Sequence, residues 1–164
     1  MAAAWGAFLI AWTARLTVFA YLFRIAGERF PVRIGESARR WSWTFGGAMC
    51  VVHVACTFEF AHDWSHTAAW NHTDQRMREL LGWGWGGGVY VNYVLTLAWL
   101  ADVAWWWADP TGHRVKLRPV RIALHALFFV VIVNATVVFG PPFWIGVAIA
   151  FALLMLLPRN AASS

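Results

Sequence analysis

Charged residues are scarce in this chain. Asp, Glu, Lys and Arg make up 13% of its 164 residues, against roughly 25% in an ordinary soluble domain, while 60% of the residues are hydrophobic. This shortage of charge excludes an ordinary soluble domain, because too few polar groups are present to face water on all sides. The composition instead predicts an integral membrane protein whose main partner is the lipid bilayer.

Cysteine is also rare, and its spacing excludes several kinds of chemistry. Cys50 and Cys56 are the two cysteines, and on a helix they lie about 9 Å apart along the axis, beyond the Cα separation of a disulfide. The sequence contains neither CxxC nor CxxCH, which excludes a thiol oxidoreductase motif and covalent c-type haem attachment. The HExxH motif of zinc metalloproteases is absent as well.

Five apolar runs approach the roughly 20 residues that a helix needs to cross a bilayer. We therefore predict an all-α, polytopic membrane protein with one domain over residues 1–164 and spans at 3–24, 41–62, 86–107, 119–139 and 142–157. The last span depends on Gly140-Pro141-Pro142, which interrupts the helical pattern because proline lacks the amide donor. A turn at this point gives five spans, and a kink within one helix gives four.

The basic residues lie mainly in two of the predicted loops. The first loop contains Arg24, Arg29, Arg33, Arg39 and Arg40, and the second contains Arg114, Lys116, Arg118 and Arg121. Because loops rich in Lys and Arg face the cytoplasm, we predict an extracytoplasmic N-terminus and a cytoplasmic C-terminus in a prokaryotic inner membrane. This topology explains the net charge of +5 without nucleic acid as a partner.

The 13 tryptophans are the most unusual part of the composition. Most of them lie near predicted span ends, where an amphipathic ring prefers the headgroup layer. We expect such an anchoring role for Trp5, Trp41, Trp43, Trp83, Trp85, Trp105, Trp106, Trp107 and Trp144.

A cluster of metal-capable side chains follows the second span. If the helix continues, Glu59, His62 and His66 share a face within about 60°, and the two imidazoles can chelate one zinc, copper or iron ion. Asp63 could donate directly or orient an imidazole, and His72 could complete the coordination sphere. The pattern predicts a metal site on the extracytoplasmic side. The alternative is a set of interfacial histidines hydrogen-bonded to Ser, Thr and water.

His53 and His125 lie within predicted spans, where ionisable groups are costly and are functional hypotheses by default. Both are candidate ligands for haem b or a chlorin. Their depths differ by about 9 Å, so a haem shared by the two fits poorly, and ligation by a single histidine stays open beside simple packing. Helical phase also places His53 opposite His62 on the second span.

Two further pairs follow from depth. Arg15 lies near the centre of the first span, and we expect Glu59 to be its charged partner. Asp102 and His125 lie at similar depths on neighbouring spans, and we expect them to pair.

Three classes of function are compatible with these patterns. The leading hypothesis is a membrane protein with a metal or haem site that serves in redox chemistry or electron transfer. The others are a small proton-relay or transport subunit, and a non-catalytic accessory subunit whose helices pack against other membrane subunits. The absence of visible internal repeats disfavours a stand-alone carrier.

Overall fold

The structure, a computed structural model, describes residues 2–31, 33–116, 118–138 and 140–156. All regular elements in these ranges are helical, which confirms the all-α prediction. The helices are α1 (Ala2–Arg29), α2 (Glu36–Ala61), α3 (His66–Leu81), α4 (Gly88–Ala108), α5 (Pro110–Arg114), α6 (Arg118–Val133) and α7 (Phe143–Leu156). A π-helical turn, Asn134–Val138, continues α6.

Three helical segments are long and apolar enough to cross a membrane: Ala4–Arg29, Glu36–Ala61 and Arg118–Thr136. The chain is therefore an all-helical protein with three candidate membrane-spanning helices, in keeping with a lipid environment. Helix α4 has 21 residues and α7 has 14, which correspond to lengths of about 32 and 21 Å. Length and hydropathy together support three of the five predicted spans.

The chain reverses direction between α6 and α7. Near the start of α7, Phe143 lies under the guanidinium of Arg15 and Trp144 contacts Phe19, with ring centroids 5.5 Å apart. Further along, the carbonyl of Met155 accepts a hydrogen bond from Nε of Arg29 at 3.4 Å. Helix α7 thus runs parallel to α1, and the two segments around Pro141 are separate helices rather than one kinked helix.

The core is a cluster of aromatic rings from four helices. Trp43 of α2, Trp99 of α4 and Phe128 of α6 are fully buried, and Tyr21 of α1 stacks on Phe128 with parallel rings 5.1 Å apart. The indole of Trp99 donates to the carbonyl of Trp43 at 3.0 Å, so the two largest rings are also fixed in orientation. This cluster holds α1, α2, α4 and α6 together and separates the two ends of the bundle.

Three tryptophans expected to lie in the headgroup layer belong to the interior instead. Trp43, Trp106 and Trp144 are 2%, 3% and 6% exposed. Anchoring rings and buried rings both occur near span ends, so position in the sequence does not distinguish them. These three rings are buried because they pack against neighbouring helices. Trp5 and Trp41 are exposed, as an anchoring ring requires.

Helix α3 connects α2 to α4 and was not predicted. Its first turn is capped by Ser65, whose hydroxyl accepts from the amide of Ala68 at 3.2 Å, and it ends at Gly82, which has a φ of 77°. Glycine has no side-chain penalty in this left-handed conformation.

We call the end of the bundle at α3 the histidine end, and the opposite end, where Glu36 pairs with Arg114, the basic end.

Candidate functional site

The predicted metal cluster depends on a helix that continues to His66, and α2 ends at Ala61 instead. His62 has left the helix, with a φ of −127°, and the next two residues, Asp63 and Trp64, have positive φ angles of 48° and 54°. The chain therefore makes a tight turn before α3 starts. Counting 100° per residue across this turn was wrong, and the expected common face of Glu59, His62 and His66 does not exist.

The structure gives each of these side chains a different partner. Glu59 accepts a hydrogen bond from the indole of Trp64 at 2.5 Å, which helps to hold that residue in its strained turn. The two ring nitrogens of His66 lie 3.1 and 3.3 Å from the hydroxyls of Tyr93 and Tyr90. Asp63 is exposed in the turn. The contacts of His66 are those of a hydrogen-bonded interfacial histidine, although its partners are tyrosines rather than Ser or Thr.

His62 and His72 are the members of the predicted cluster that come together. Their ring centroids are 5.4 Å apart in an edge-to-face arrangement. Burial of His62, together with the nearby His72 imidazole, lowers the pKa of His62 below its ordinary value. Within the described part of the chain, no group of three or more His, Cys, Asp or Glu side chains is placed to hold a metal ion. Two imidazoles alone do not complete such a site.

A cavity of about 400 Å³ opens between α1, α2, α3, α4 and α6 on the histidine side of the aromatic core. We call it the histidine cavity, because His53, His62 and His72 all line it, together with largely apolar and hydroxyl-bearing side chains. Tyr93 and Trp99 contribute aromatic surface to the wall. The size and the mainly apolar lining are those of a pocket for an organic ligand rather than for a bare ion.

His53 has a defined tautomer in this cavity. Its Nδ1 lies 3.1 Å from the carbonyl oxygen of Ile10 and 3.2 Å from the hydroxyl of Thr13. Because a carbonyl can only accept, Nδ1 carries the proton, and in the neutral ring Nε2 carries the free lone pair. Among the described residues nothing hydrogen-bonds to Nε2. A histidine whose other nitrogen donates to a carbonyl is the usual form of a metal-binding imidazole.

His53 and His62 were expected on opposite faces of one helix, yet both line the histidine cavity. Helix α2 ends at Ala61, so His62 does not continue the helical phase that placed it opposite His53. His125 does not join them. It lies at the basic end, with Nε2 3.9 Å from a carboxylate oxygen of Glu28, so the depth argument against a haem shared by His53 and His125 agrees with their positions.

Neither of the two pairs that we expected from depth is formed among the described residues. The guanidinium carbon of Arg15 lies 5.0 Å from the ring of Trp12 and 5.4 Å from that of Phe143, so aromatic faces take the place of Glu59. Asp102 pairs with Lys116 and His113 rather than with His125.

The Asp102 cluster is the polar site that sequence reasoning missed. One carboxylate oxygen accepts from the indole of Trp43 at 3.0 Å and lies 3.1 Å from Nε2 of His113, and the other contacts the ammonium of Lys116. Helix α5 makes this possible, since Asp109 caps it by accepting from the amide of Gly112 at 2.8 Å. The Asp-Pro pair at its start was the available sequence signal for a short helix.

Comparisons with known proteins identify no relative. No protein-family model, no curated protein and no solved structure matches the chain. The histidine cavity and its side chains are therefore the basis for the functional conclusion.

Proposed function

We propose that this chain is an integral membrane protein that binds a planar, metal-containing macrocycle, haem in the first place, in the histidine cavity and serves in electron transfer. The observation that carries the proposal is the state of His53. Its Nδ1 is engaged by the carbonyl of Ile10, its Nε2 is left with a lone pair, and the residue lines a cavity of about 400 Å³.

A macrocycle fits this cavity better than a bare ion does. A zinc or copper ion needs three or four donors from the protein, and the described residues offer no such group. A porphyrin supplies four nitrogen ligands itself and needs only one or two axial ligands from the chain. His53 can be that axial ligand, and the apolar wall formed in part by Leu95 and Trp99 suits the face of a large conjugated ring.

The polar margin of the cavity supports the same ligand class. His62 and His72 lie beside each other at the end of the cavity next to α3, and His72 is exposed. Imidazoles at this position would receive the carboxylates that such macrocycles carry, while the apolar part of the ring stays in the bundle. Burial and the nearby His72 imidazole lower the pKa of His62, and an anionic carboxylate beside the ring would raise that pKa again.

The membrane arrangement that we propose has five spans, with the histidine end outside the cytoplasm and the basic end inside. The parallel course of α1 and α7 supports it, because the two helices would then cross in the same direction. The positive-inside rule supports the orientation, since the arginine-rich loops meet at the basic end. An electron partner would approach the histidine end.

The test is a spectrum of the full-length chain, produced in haem-sufficient cells and purified in detergent. We expect a Soret band and about one haem per chain by pyridine haemochrome analysis, with matching iron by elemental analysis. His53→Ala should remove most of the haem, because it deletes the axial donor. His125→Ala should retain it, since His125 lies at the basic end and does not line the histidine cavity.

A spectrum without a Soret band and with iron well below the chain concentration would refute the proposal and leave the accessory-subunit hypothesis. Equal haem in His53→Ala and the parent chain would refute His53 as the ligand. His66→Ala serves as a second control on the histidine end, since its ring contacts tyrosines and does not line the cavity.

A further inference from the structure

A second cavity, of about 340 Å³, lies at the basic end between α1, α2, α4, α5 and α6. We call it the basic cavity, and it shares no lining residue with the histidine cavity. Its cationic side chains outnumber its carboxylates by five to three. The cations are Arg24, Arg39, Arg114, Lys116 and Arg121, and the carboxylates are Glu28, Glu36 and Asp102.

Each of the three carboxylates already has a cation of its own. The ion pairs are Arg24–Glu28, at 2.5 Å between Nη1 and Oε1, Arg114–Glu36 and Lys116–Asp102. Neither Arg39 nor Arg121 forms an ion pair with a carboxylate in the described part of the chain. The cavity is therefore left with two uncompensated positive charges at the end of a largely apolar bundle.

Two buried guanidinium donors in this cavity also lack a partner among the described residues. Arg24 is 9% exposed, and its Nε has no hydrogen-bond partner although its Nη1 meets Glu28. The Nε of Arg39 is in the same condition. A buried donor without an acceptor costs free energy, so such a set indicates an acceptor that is not part of the chain.

We propose that the basic cavity binds a phosphate group. The guanidinium groups of Arg24 and Arg39 present planar donors that match the oxygens of phosphate, and an anionic phosphate balances the excess positive charge. Exposed Arg121 lies at the rim, where an incoming anion would meet it first.

Two sources can supply this chemistry: the headgroup of an anionic phospholipid and a soluble phosphate compound. Basic pockets between membrane helices bind lipid headgroups in other proteins, and the rim arginines of this cavity would also admit a soluble anion. Both sources use the same donors, so one set of variants tests the site and two probes separate the sources.

The experiment measures binding to the detergent-purified full chain. One arm titrates inorganic phosphate against sodium chloride of equal ionic strength. The other arm compares mixed micelles that contain phosphatidylglycerol with micelles of phosphatidylcholine. We expect Arg39→Gln and Arg121→Gln each to raise the dissociation constant of the bound probe about tenfold, which is the loss of one charge-assisted hydrogen bond. Arg40 is the next residue along the chain and does not line the cavity. Arg40→Gln removes the same charge and should leave binding unchanged.

Binding of phosphatidylglycerol without inorganic phosphate assigns the site to a lipid headgroup, and binding of inorganic phosphate assigns it to a soluble anion. Absence of binding in both arms would overturn the proposal, as would an equal loss in Arg40→Gln, which would indicate diffuse surface charge. Arg121 is exposed, so its variant keeps the test available if Arg39→Gln does not fold. His53→Ala should bind phosphate as the parent chain does, which separates this site from the proposed haem site.

Discussion

The indole nitrogen of Trp43 donates to the carboxylate of Asp102 at 3.0 Å and so joins α2 to α4 next to the aromatic core. The same carboxylate contacts Lys116 and His113, and the side chains of Asp102 and Lys116 are 9% and 5% exposed. A buried ion pair is sensitive to the loss of one partner, because the remaining charge then has no compensation.

We therefore expect Asp102→Asn to lower the free energy of unfolding by about 3 kcal/mol or more. The neutral amide cannot compensate the buried ammonium of Lys116, although it can still accept from Trp43. Combining it with Lys116→Met should recover part of the loss, because both charges are then absent. Thermal unfolding in detergent measures each variant.

Asp74→Asn is the matched control for this prediction. Asp74 accepts from Arg78 at 2.8 Å on α3, but Arg78 is 65% exposed, and an exposed pair contributes less than about 1 kcal/mol. If Asp102→Asn is no more damaging than Asp74→Asn, the carboxylate at α4 does not hold a buried charge.

Gly46 permits the closest approach between α2 and its neighbours. A Cβ atom at this position would lie 2.6 Å from a ring carbon of Trp99 and 2.9 Å from Cβ of Ala20. We expect Gly46→Ala to destabilise the protein by about 1–3 kcal/mol, because overpacking must move the fully buried indole. A thermal melt in detergent, supported by the near-ultraviolet circular dichroism of the tryptophans, would measure it.

Gly146→Ala on α7 is the control, since a Cβ there meets nothing within 4 Å. Alanine favours the helix over glycine by up to about 1 kcal/mol, so this variant should be neutral or slightly more stable. Equal behaviour of the two variants would contradict the tight packing at Gly46.

The long helices were predictable from the sequence. Helix α4 runs from Gly88 to Ala108, against the predicted span 86–107, because a long apolar run with few polar interruptions leaves little choice of element. Helix α3 carried readable signals as well, in its Ser65 cap and its glycine end at Gly82.

The turn between α2 and α3 could not be predicted by the same means. No glycine or proline marks it, and the left-handed conformation of Trp64 is rare for a bulky residue. It is held by contacts on both sides, namely the indole bond to Glu59 and the backbone bond from Trp64 to Phe58 at 2.9 Å. Helical phase therefore did not predict the side-chain positions after Ala61, because contacts with the surrounding structure determine the backbone there.

The partner of Asp102 was missed for a different reason. The prediction compared only residues on the long spans by their depth in the membrane, and His125 on α6 lay at a depth similar to that of Asp102. The chain between α4 and α6 returns through α5 and brings His113 and Lys116 to the same carboxylate. These are tertiary contacts, and the periodicity of the sequence does not predict them.

The lowered pKa of His62 gives stability a definite pH dependence. Because the folded chain holds this imidazole less protonated than the unfolded chain does, unfolding takes up a proton as the pH falls through the ordinary histidine range near about 6.5. Stability from this group is therefore full above that range and is lost below it. We expect the melting temperature to fall between pH 7.5 and 5.5, values taken about one unit either side of that range.

His62→Gln should weaken this dependence, because one titrating group is removed. His72→Gln should reduce it in part, since a charged His72 imidazole is one cause of the shift. A pH profile that is the same in His62→Gln as in the parent chain would show that another group is responsible.

The crossing of α4 is open to a direct test by thiol labelling of intact cells, on a background in which Cys50 and Cys56 are replaced by alanine. Single cysteines at exposed Arg33, Asn71 and Val115 flank α2 and α4 in turn. The charge distribution predicts that an impermeant maleimide labels Asn71→Cys only. Arg33→Cys and Val115→Cys should react after the cells are permeabilised, which shows that both thiols are competent. Labelling of Val115→Cys together with Asn71→Cys in intact cells would mean that α4 does not cross the membrane, and labelling of Arg33→Cys in place of Asn71→Cys would reverse the orientation.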